Sequence, residues 1–326
     1  MYLIKNTNTN PYFNLAAEEY FLEHSEKEVL LLWRNDRTVV VGRNQNTMQE
    51  INSDYVKNQG IPVVRRLSGG GAVFHDMGNI NYTMIQKDDA GLFSNYDFFT
   101  KPICLFLKSL GVDAYLSGRN DLLIEEKKFC GNAQARRNGK IMHHGCLLFS
   151  ADVGELTACL KPNPLKIESK GVKSVRSHVT NILEHLKKPM NADEFFNQLF
   201  QYFKENVSEM KKHVLDEEEI CSIKKLAEQK YASWDWNYGE SPHYAVKKSC
   251  KFDFGIVEVF FSVENGMLNA IKIFGDFFGT KDISELEERC RGVRHKREEF
   301  QEALKSLSIE EYIWGMDTKQ FLDLFF

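Results

Sequence analysis

The segment Arg65–Asp76 (RRLSGGGAVFHD) limits the possible fold and function of this chain more than any other segment does, because three consecutive glycines follow closely behind two arginines. The preceding residues, Ile61–Val64, are typical of a short buried strand. Glycine lets the backbone approach a ligand closely, and successive free N–H groups in such a loop form an anion-binding concavity. Arginine adds a planar charged fork suited to carboxylate or phosphate. The segment indicates a pocket for a negatively charged small molecule, although a glycine-rich hairpin with solvated arginines has the same composition.

The composition indicates the class of protein and the compartment in which it is expected to work. The 326 residues are enough for two domains, and the 43% apolar and 27% charged fractions are those of an ordinary globular protein. A net charge of −4 gives no overall attraction to nucleic acid or to an anionic membrane. The chain has no membrane-spanning stretch and no secretory signal pattern. Seven cysteines without a CxxC pair favour a reducing cytoplasm over a disulfide framework or a zinc site.

Periodicity and turn residues predict a large mixed α/β domain, residues 1–238, and a small α+β domain, residues 243–326, joined by a turn-rich segment at Trp234–His243. Strands are predicted at 29–33, 38–42, 61–66, 80–85, 112–116, 122–124, 129–135, 145–149, 245–254, 256–263 and 268–274. Helices are predicted from Asn10, at 98–110 and 152–160, within 192–230, and at 283–290, 295–306 and 318–325.

Three other stretches place polar groups where a site would need them. Lys128 is the last charge before the chain re-enters the interior, so it could reach a pocket, although a hairpin-tip lysine is more often solvated. His143 and His144 should face opposite sides of a strand, one exposed and one hydrogen-bonded. Lys161–Asn181 forms a basic loop that could close over phosphates or be ordinary solvated surface. Neither GxxxxGK[ST] nor GxGxxG occurs, so a nucleotide must bind in another way.

Taken together, these stretches resemble the lipoate–protein ligase A family. RRLSGGGAVFHDMGNINYT is similar to the family's glycine-rich lipoate loop, and GRNDLLIEEKKFCGNA to its lysine-bearing hairpin. HHGCLLF, followed by KGVKSVRSHVTNI, is similar to its adenylate-binding loop. Phe274–Phe278 resembles the accessory domain of the single-chain bacterial enzymes. The motifs occur in order over nearly the whole chain, with Cys130 and Cys146 where the family often has serine or threonine, and His178 where it often has arginine.

The resemblance implies a catalytic fold shared with biotin–protein ligases and related to class II aminoacyl-tRNA synthetases. It implies an ATP-dependent ligase that forms lipoyl-AMP and pyrophosphate from free lipoate and ATP, with Mg²⁺ but no permanent metal site. The lipoyl group then passes to a lysine of an E2 lipoyl domain or of the glycine-cleavage H protein. A cytoplasmic monomer is the default expectation.

The family's functional residues can be carried over one by one. Its essential lysine falls on Lys128, and its lipoate contacts on Gly70 and the same lysine. Asn120 and Asp121 lie in the GRND turn, where polyphosphate and metal are expected. A lysine bonded to both the lipoate carboxylate and the α-phosphate would let the two anions meet in line. The contacts to ATP and lipoyl-AMP fall on Arg66, Gly71, Ala72, Val73, Phe74 and Lys128.

Two other functions remain open on the sequence. One is a carrier-dependent lipoyl or octanoyl transferase on the same fold, commonly with a cysteine nucleophile. The other is a non-catalytic module that binds lipoylated or biotinylated domains. The triple-glycine loop, the basic loop at 161–181 and the accessory domain favour ATP use. A site that opens both to small molecules and to a folded protein also predicts a hinge near Gly239.

Overall fold

A computed structural model describes residues 1–88, 91–118, 120–161, 178–207, 209–238 and 246–326. Its strands are β1 (Tyr2–Lys5), β2 (Val29–Trp33), β3 (Thr38–Val41), β4 (Val63–Arg65), β5 (Val73–His75), β6 (Asn79–Lys87), β7 (Tyr115–Ser117), β8 (Asp121–Ile124), β9 (Lys127–Arg137), β10 (Lys140–Leu148), β11 (Lys211–His213), β12 (Val246–Phe252), β13 (Gly255–Glu264) and β14 (Met267–Gly275). Its α-helices are α1 (Pro11–His24), α2 (Thr47–Glu50), α3 (Ser53–Asn58), α4 (Tyr96–Ser109), α5 (Val153–Cys159), α6 (Ala192–Asn206), α7 (Glu217–Leu226), α8 (Trp234–Asn237), α9 (Ile283–Cys290), α10 (Arg297–Leu304), α11 (Ile309–Tyr312) and α12 (Thr318–Asp323). A 3-10 helix at Ile182–His185 and a π-helix at Ala227–Tyr231 complete these elements.

The class predicted from the sequence, mixed α/β with a small α+β unit at the C-terminal end, is confirmed. Each predicted strand overlaps a strand of the structure. The short strands β1, β5 and β11 are absent from the prediction. Each has only three or four residues and pairs with a strand distant in sequence, so its local pattern carries little signal.

An eight-stranded sheet in the order β11-β1-β2-β6-β10-β9-β8-β7 is the framework of the first unit. Strand β1 is parallel to both neighbours, and the other pairs are antiparallel. Helix α1 packs on one face, and helices α4 and α6 on the other. All five residues of β2 are buried, with Leu30 and Leu32 in one core and Leu31 and Trp33 in the other. Its uninterrupted apolar run therefore reflects a sheet covered on both faces.

Helix α1 brings charged groups under the sheet. Asn10 caps its first turn by accepting two backbone N–H groups, and Pro11 is the first helical residue. Because the helix lies flat on the sheet, both Glu18 and Glu19 are buried. Glu19 pairs with Lys230 at 2.7 Å, whereas Glu18 faces the candidate site.

A small sheet in the order β4-β3-β5 sets the path of the glycine loop. Strand β3 is parallel to β4 and antiparallel to β5, so residues 66–72, which join β4 to β5, cross the end of β3 at Gly42. A Cβ atom on Gly42 would lie 2.0 Å from the carbonyl oxygen of Gly70. Only glycine at this position lets the loop pass.

Residues 246–326 form the third sheet, β12-β13-β14, with helices α9–α12 around one apolar core. This unit contacts the first one at defined points. The Gly275 N–H donates to the carbonyl of Asn44 at 2.6 Å, and Arg43 pairs with Asp282 at 3.0 Å. Within the described ranges, no helix is both long and apolar enough to cross a membrane.

Candidate active site

A cavity of about 290 Å³ lies where the glycine loop faces strands β9 and β10. Its apolar walls come from several elements and include Leu15, Trp33, Val40, Leu148, Leu156 and Phe278. Asp121 is the one predicted site residue outside the lining, and it lies beside Lys128. The predicted residues that line the cavity are Arg66, Gly70, Gly71, Ala72, Val73, Phe74, Asn120 and Lys128.

Arg66 holds the glycine loop from beneath. Its Nη2 donates to the carbonyls of Gly69 and Gly71 at 2.6 and 2.9 Å, and its Nε donates to the Ser68 hydroxyl at 3.1 Å. Burial lowers the pKa of Arg66 to about 10, so the group stays charged at neutral pH. No carboxylate among the described residues lies within ion-pair distance of it. This buried cation therefore favours an anion in the cavity.

The neighbouring Arg65 belongs to the scaffold. It lies outside the cavity lining, and burial lowers its pKa to about 9. Its guanidinium ties the end of β3 to helix α8. It donates to the carbonyls of Gly42, Arg43, Gln45, Trp236 and Asn237 and to the hydroxyl of Thr47. Of the two arginines predicted as a charged fork, only Arg66 reaches the site.

Lys128 lies on the solvent side of the cavity with its backbone fixed. Its N–H donates to the carbonyl of His178 at 2.8 Å, and its carbonyl accepts from Thr180 N–H at 2.9 Å. Its Nζ pairs with Asp121 at 2.7 Å, with the two side chains 38% and 37% exposed. The lysine stem crosses Gly131, where a Cβ atom would lie 3.0 Å from Nζ. Sequence reasoning missed that role of Gly131, although the glycine stands three residues after the lysine.

The turn before β8 is tied to β9 by two asparagines. The Asn120 amide donates to the backbone carbonyl of Asn132 at 2.7 Å, and the Asn132 amide donates back at 2.9 Å. At the hairpin between β8 and β9, Glu125 and Glu126 both adopt positive φ, of 48° and 65°. Two such residues form the tight turn that fits a two-residue hairpin, which brings Lys128 back toward the cavity.

The two adjacent histidines face opposite sides of β10, but the expectation that one is exposed is wrong. His143 is fully buried, stacks on Phe99 at 4.6 Å and is hydrogen-bonded to Gln134. Burial holds its pKa well below the usual value, so it is neutral. His144 is 9% exposed and lines the cavity. Helices cover both faces of the sheet, which leaves neither histidine to solvent.

His144 belongs to a buried chain of hydrogen bonds that the sequence did not reveal. Its Nδ1 lies 2.8 Å from a Glu18 carboxylate oxygen, and its Nε2 lies 2.6 Å from the Ser68 hydroxyl. The same Glu18 oxygen accepts from the Thr83 hydroxyl, which accepts from Trp33 Nε1 at 2.9 Å. The apolar inner wall is thereby linked to the glycine loop.

Two thiols near the site are poorly suited to nucleophilic chemistry. Burial raises the pKa of Cys146, which lines the cavity, to about 12. Burial also raises the pKa of Cys130, a residue of β9 that packs in the core and likewise lines the cavity, well above its usual value. Because the thiolate is the reactive form, neither group is activated for acyl transfer.

Some predictions fall on parts of the chain outside the described residues. They include residues 162–177 of the basic loop and the hinge at Gly239. Lys161, at the start of the loop, is described, and its Nζ donates to the carbonyl of Met48 at 3.1 Å. In the described ranges, no three His, Cys, Asp or Glu side chains cluster as a metal site would need.

The catalytic-domain model of lipoyl protein ligases A and B matches residues 10–204. The model of the bacterial lipoate protein ligase C-terminus matches residues 241–325. The chain belongs to the lipoate–protein ligase family. It is 41% identical to lipoate-protein ligase LplJ of Bacillus subtilis (strain 168) over 331 residues, which is 100% of both chains. Relatives with this name are ligases, so the chain is an enzyme of that class.

Solved structures of the family share the fold. LipL1 of P. falciparum in complex with lipoate gives a TM-score of 0.77 at 26% identity, covering 98% of this chain and 96% of that one. A bipartite archaeal ligase of Thermoplasma acidophilum, studied with its E2 lipoyl domain, gives 0.65 at 31% identity, covering 75% and 98%. A lipoate-protein ligase A bound with ATP gives 0.63 at 29% identity, covering 73% and 98%.

Proposed function

We propose that this ligase joins free lipoate to ATP, forming lipoyl-AMP, and then transfers the lipoyl group to a lysine of an acceptor protein. One observation carries the proposal: a deep apolar cavity has the Arg66 guanidinium beneath its glycine loop and the Lys128 ammonium on its solvent side. The apolar walls suit an aliphatic chain, and the two cations suit the carboxylate and phosphate that must meet there. Family structures bound to lipoate and to ATP support the same substrates.

In this proposal each predicted residue has a role. Lys128 leaves Asp121 and binds both the lipoate carboxylate and the α-phosphate. Gly70 lies along lipoate, and Arg66 with residues 71–74 (Gly, Ala, Val, Phe) binds the adenylate. Asn120 and Asp121 offer oxygen ligands of the kind that Mg²⁺ prefers, and the metal would neutralise polyphosphate charge.

The chemistry needs no protein nucleophile. A lipoate carboxylate oxygen attacks the α-phosphorus, and pyrophosphate leaves with the electrons of the broken P–O bond. The acceptor amine then attacks the acyl carbon, loses a proton to the surroundings, and AMP leaves. Holding the charged groups in line and neutralising them supplies the rate enhancement. The raised pKa values of Cys130 and Cys146 disfavour the alternative transferase mechanism.

Residues 1–238 form the catalytic domain, and residues 243–326 form the accessory domain. The acceptors are E2 lipoyl domains or glycine-cleavage H protein, and an archaeal relative has been studied with such an E2 domain. The enzyme acts as a cytoplasmic monomer.

Pyrophosphate release from free lipoate, ATP and Mg²⁺ tests the proposal. The parent protein should release pyrophosphate, and Lys128→Ala should reduce the rate by about 10²–10³-fold, the usual effect of removing one transition-state contact. Lys127→Ala is the matched control, because Lys127 is an exposed neighbour on the same strand. No release by the parent, with acyl transfer from a carrier protein instead, would identify the transferase.

A further inference from the structure

Asn81 lines the cavity, and its amide nitrogen has no hydrogen-bond partner in the part of the chain that the structure describes. The residue is only 2% exposed. The described ranges hold four other buried side-chain atoms of this kind, all on residues outside the cavity lining. A buried amide that makes no hydrogen bond costs free energy, so its presence in a native fold needs an explanation. An acceptor atom on the ligand would supply the missing partner.

Other polar groups of the cavity lining are already used within the protein. Trp33 Nε1 donates to the Thr83 hydroxyl at 2.9 Å. Both ring nitrogens of His144 are hydrogen-bonded, at 2.8 and 2.6 Å. The Asn120 amide donates to a backbone carbonyl at 2.7 Å. These groups hold the walls in place, whereas the Asn81 amide is available to a ligand.

Strand pairing places Asn81 at the inner, apolar end of the cavity. The register across β2, β6, β10 and β9 aligns one row of four cavity-lining residues, namely Trp33, Asn81, Cys146 and Gly131. The stem of Lys128 crosses Gly131. Neighbouring strands lie about 4.8 Å apart, so Asn81 lies roughly 10 Å across the sheet from Gly131. The amide is therefore beside the indole of Trp33 and away from the lysine.

We propose that the Asn81 amide nitrogen donates a hydrogen bond to a sulfur atom of the lipoate dithiolane ring and thereby selects lipoate over acids without sulfur. This inference rests on the proposed function. With the lipoate carboxylate at Lys128, the four methylenes of the acid carry its ring along the row toward Asn81 and Trp33. A ring sulfur is a weak acceptor. An acid with only methylenes at this place would leave the buried N–H unpaired, which discriminates against it.

The test compares lipoate with octanoate and with 5-cyclopentylpentanoate, which has the ring and chain of lipoate but methylenes in place of both sulfurs. The initial rate of pyrophosphate release is measured at low acid concentration with ATP and Mg²⁺. Asn81→Leu keeps the approximate size of the side chain and removes the donor. The ratio of the lipoate rate to the cyclopentyl rate should fall roughly ten-fold, the usual effect of one neutral hydrogen bond. The rates with the two sulfur-free acids should stay the same or rise.

The stability of the ligand-free protein separates this role from a structural one. Asn81→Leu should melt at the temperature of the parent or above it, because an unpaired buried amide is removed. Ser53→Ala is the matched control. The Ser53 hydroxyl is another buried group without a hydrogen-bond partner among the described residues, but it lies on α3, outside the cavity lining. Its rate ratio should equal that of the parent.

An unchanged ratio in Asn81→Leu would overturn the inference, and so would an equal loss of rate with all three acids, because the effect would then not concern the sulfurs. If Asn81→Leu fails to fold, as judged by its melting curve, Asn81→Ala decides by the same ratio. The absence of pyrophosphate release by the parent with every acid would instead refute the proposed function.

Discussion

The two walls of the cavity are held in different ways. The glycine-loop wall rests on buried groups: Arg66 binds the loop carbonyls, and Arg65 fixes the scaffold behind it. The opposite wall depends on a half-exposed ion pair between Lys128 and Asp121. Exposed pairs stabilise proteins by only about 0–1 kcal/mol, so this one exchanges partners at little cost in free energy. The glycine-loop wall is therefore held by buried contacts, whereas the wall at Lys128 can change its contacts at little cost.

Replacing each arginine by methionine should give the largest effects and separate the scaffold from the site. Arg65→Met leaves its buried acceptors unpaired and should lower the free energy of unfolding by about 3–5 kcal/mol. Arg66→Met should cost about 2–3 kcal/mol and should also abolish pyrophosphate release per folded molecule. Urea unfolding and the release assay, run where both variants are folded, measure this. Equal losses of activity in the two variants would contradict the assignment of Arg65 to the scaffold and Arg66 to the site.

Gly70→Val tests how closely the glycine-loop wall of the cavity packs against the proposed ligand, lipoate. Gly70 has φ +91°, and a Cβ atom there would lie 3.0 Å from Arg66 Nη2 and 3.2 Å from the Phe278 ring. Lipoate affinity should fall roughly 10-fold or more, because overpacking costs about 1–3 kcal/mol.

Gly60→Val is the control for backbone strain alone, since Gly60 has φ +61° with nothing within 4 Å of its Cβ position. Both variants should lose stability, by about 1–3 kcal/mol for the strained backbone, but only Gly70→Val should lose lipoate binding. Unchanged lipoate affinity in Gly70→Val would count against the loop assignment.

His75→Asn tests the buried side of the cavity through pH. Burial lowers the pKa of His75 from 6.5 to about 3. Between these two pH values the imidazole is neutral in the folded protein, whereas it binds a proton in the unfolded chain. The free energy of unfolding is therefore undiminished by His75 above pH 6.5, and it falls as the pH drops toward 3, by up to about 1.4 kcal/mol per pH unit. In urea unfolding at about pH 7 and about pH 5, the variant should lose less stability than the parent. If the free energy of unfolding changed with pH equally in the variant and the parent, protonation of His75 would not be linked to stability. His143, neutral in the fold for the same reason, should keep some slope in the variant.

Asp121→Asn should have the smallest effect on stability. The pair with Lys128 is exposed, so the free energy of unfolding should change by about 0–1 kcal/mol. Asp323→Asn, which removes a similarly exposed pair with Arg297, should change stability by the same small amount. Only Asp121→Asn should slow pyrophosphate release, and a higher Mg²⁺ concentration should partly restore it. Equal rates in the two variants would remove Asp121 from the proposed site.

Much of the architecture was predictable because its signals are local. The apolar run of β2 and the capped start of α1 each follow from nearby residues. The motifs also predicted the group of side chains around the cavity, from Arg66 to Lys128. Strand β5 and the burial of both histidines were not predictable, because each depends on partners far along the chain.

By itself, the sequence determined the family, the mixed fold and the location of the glycine loop and the lysine, because short-range patterns and ordered motifs encode them. Only the tertiary structure decided which arginine faces the cavity, which glutamate meets His144, and that a phenylalanine from the C-terminal unit lines the cavity. The physical reason is that adjacent residues with the same chemistry take different roles when packing directs one side chain toward buried backbone carbonyls and the other toward a cavity.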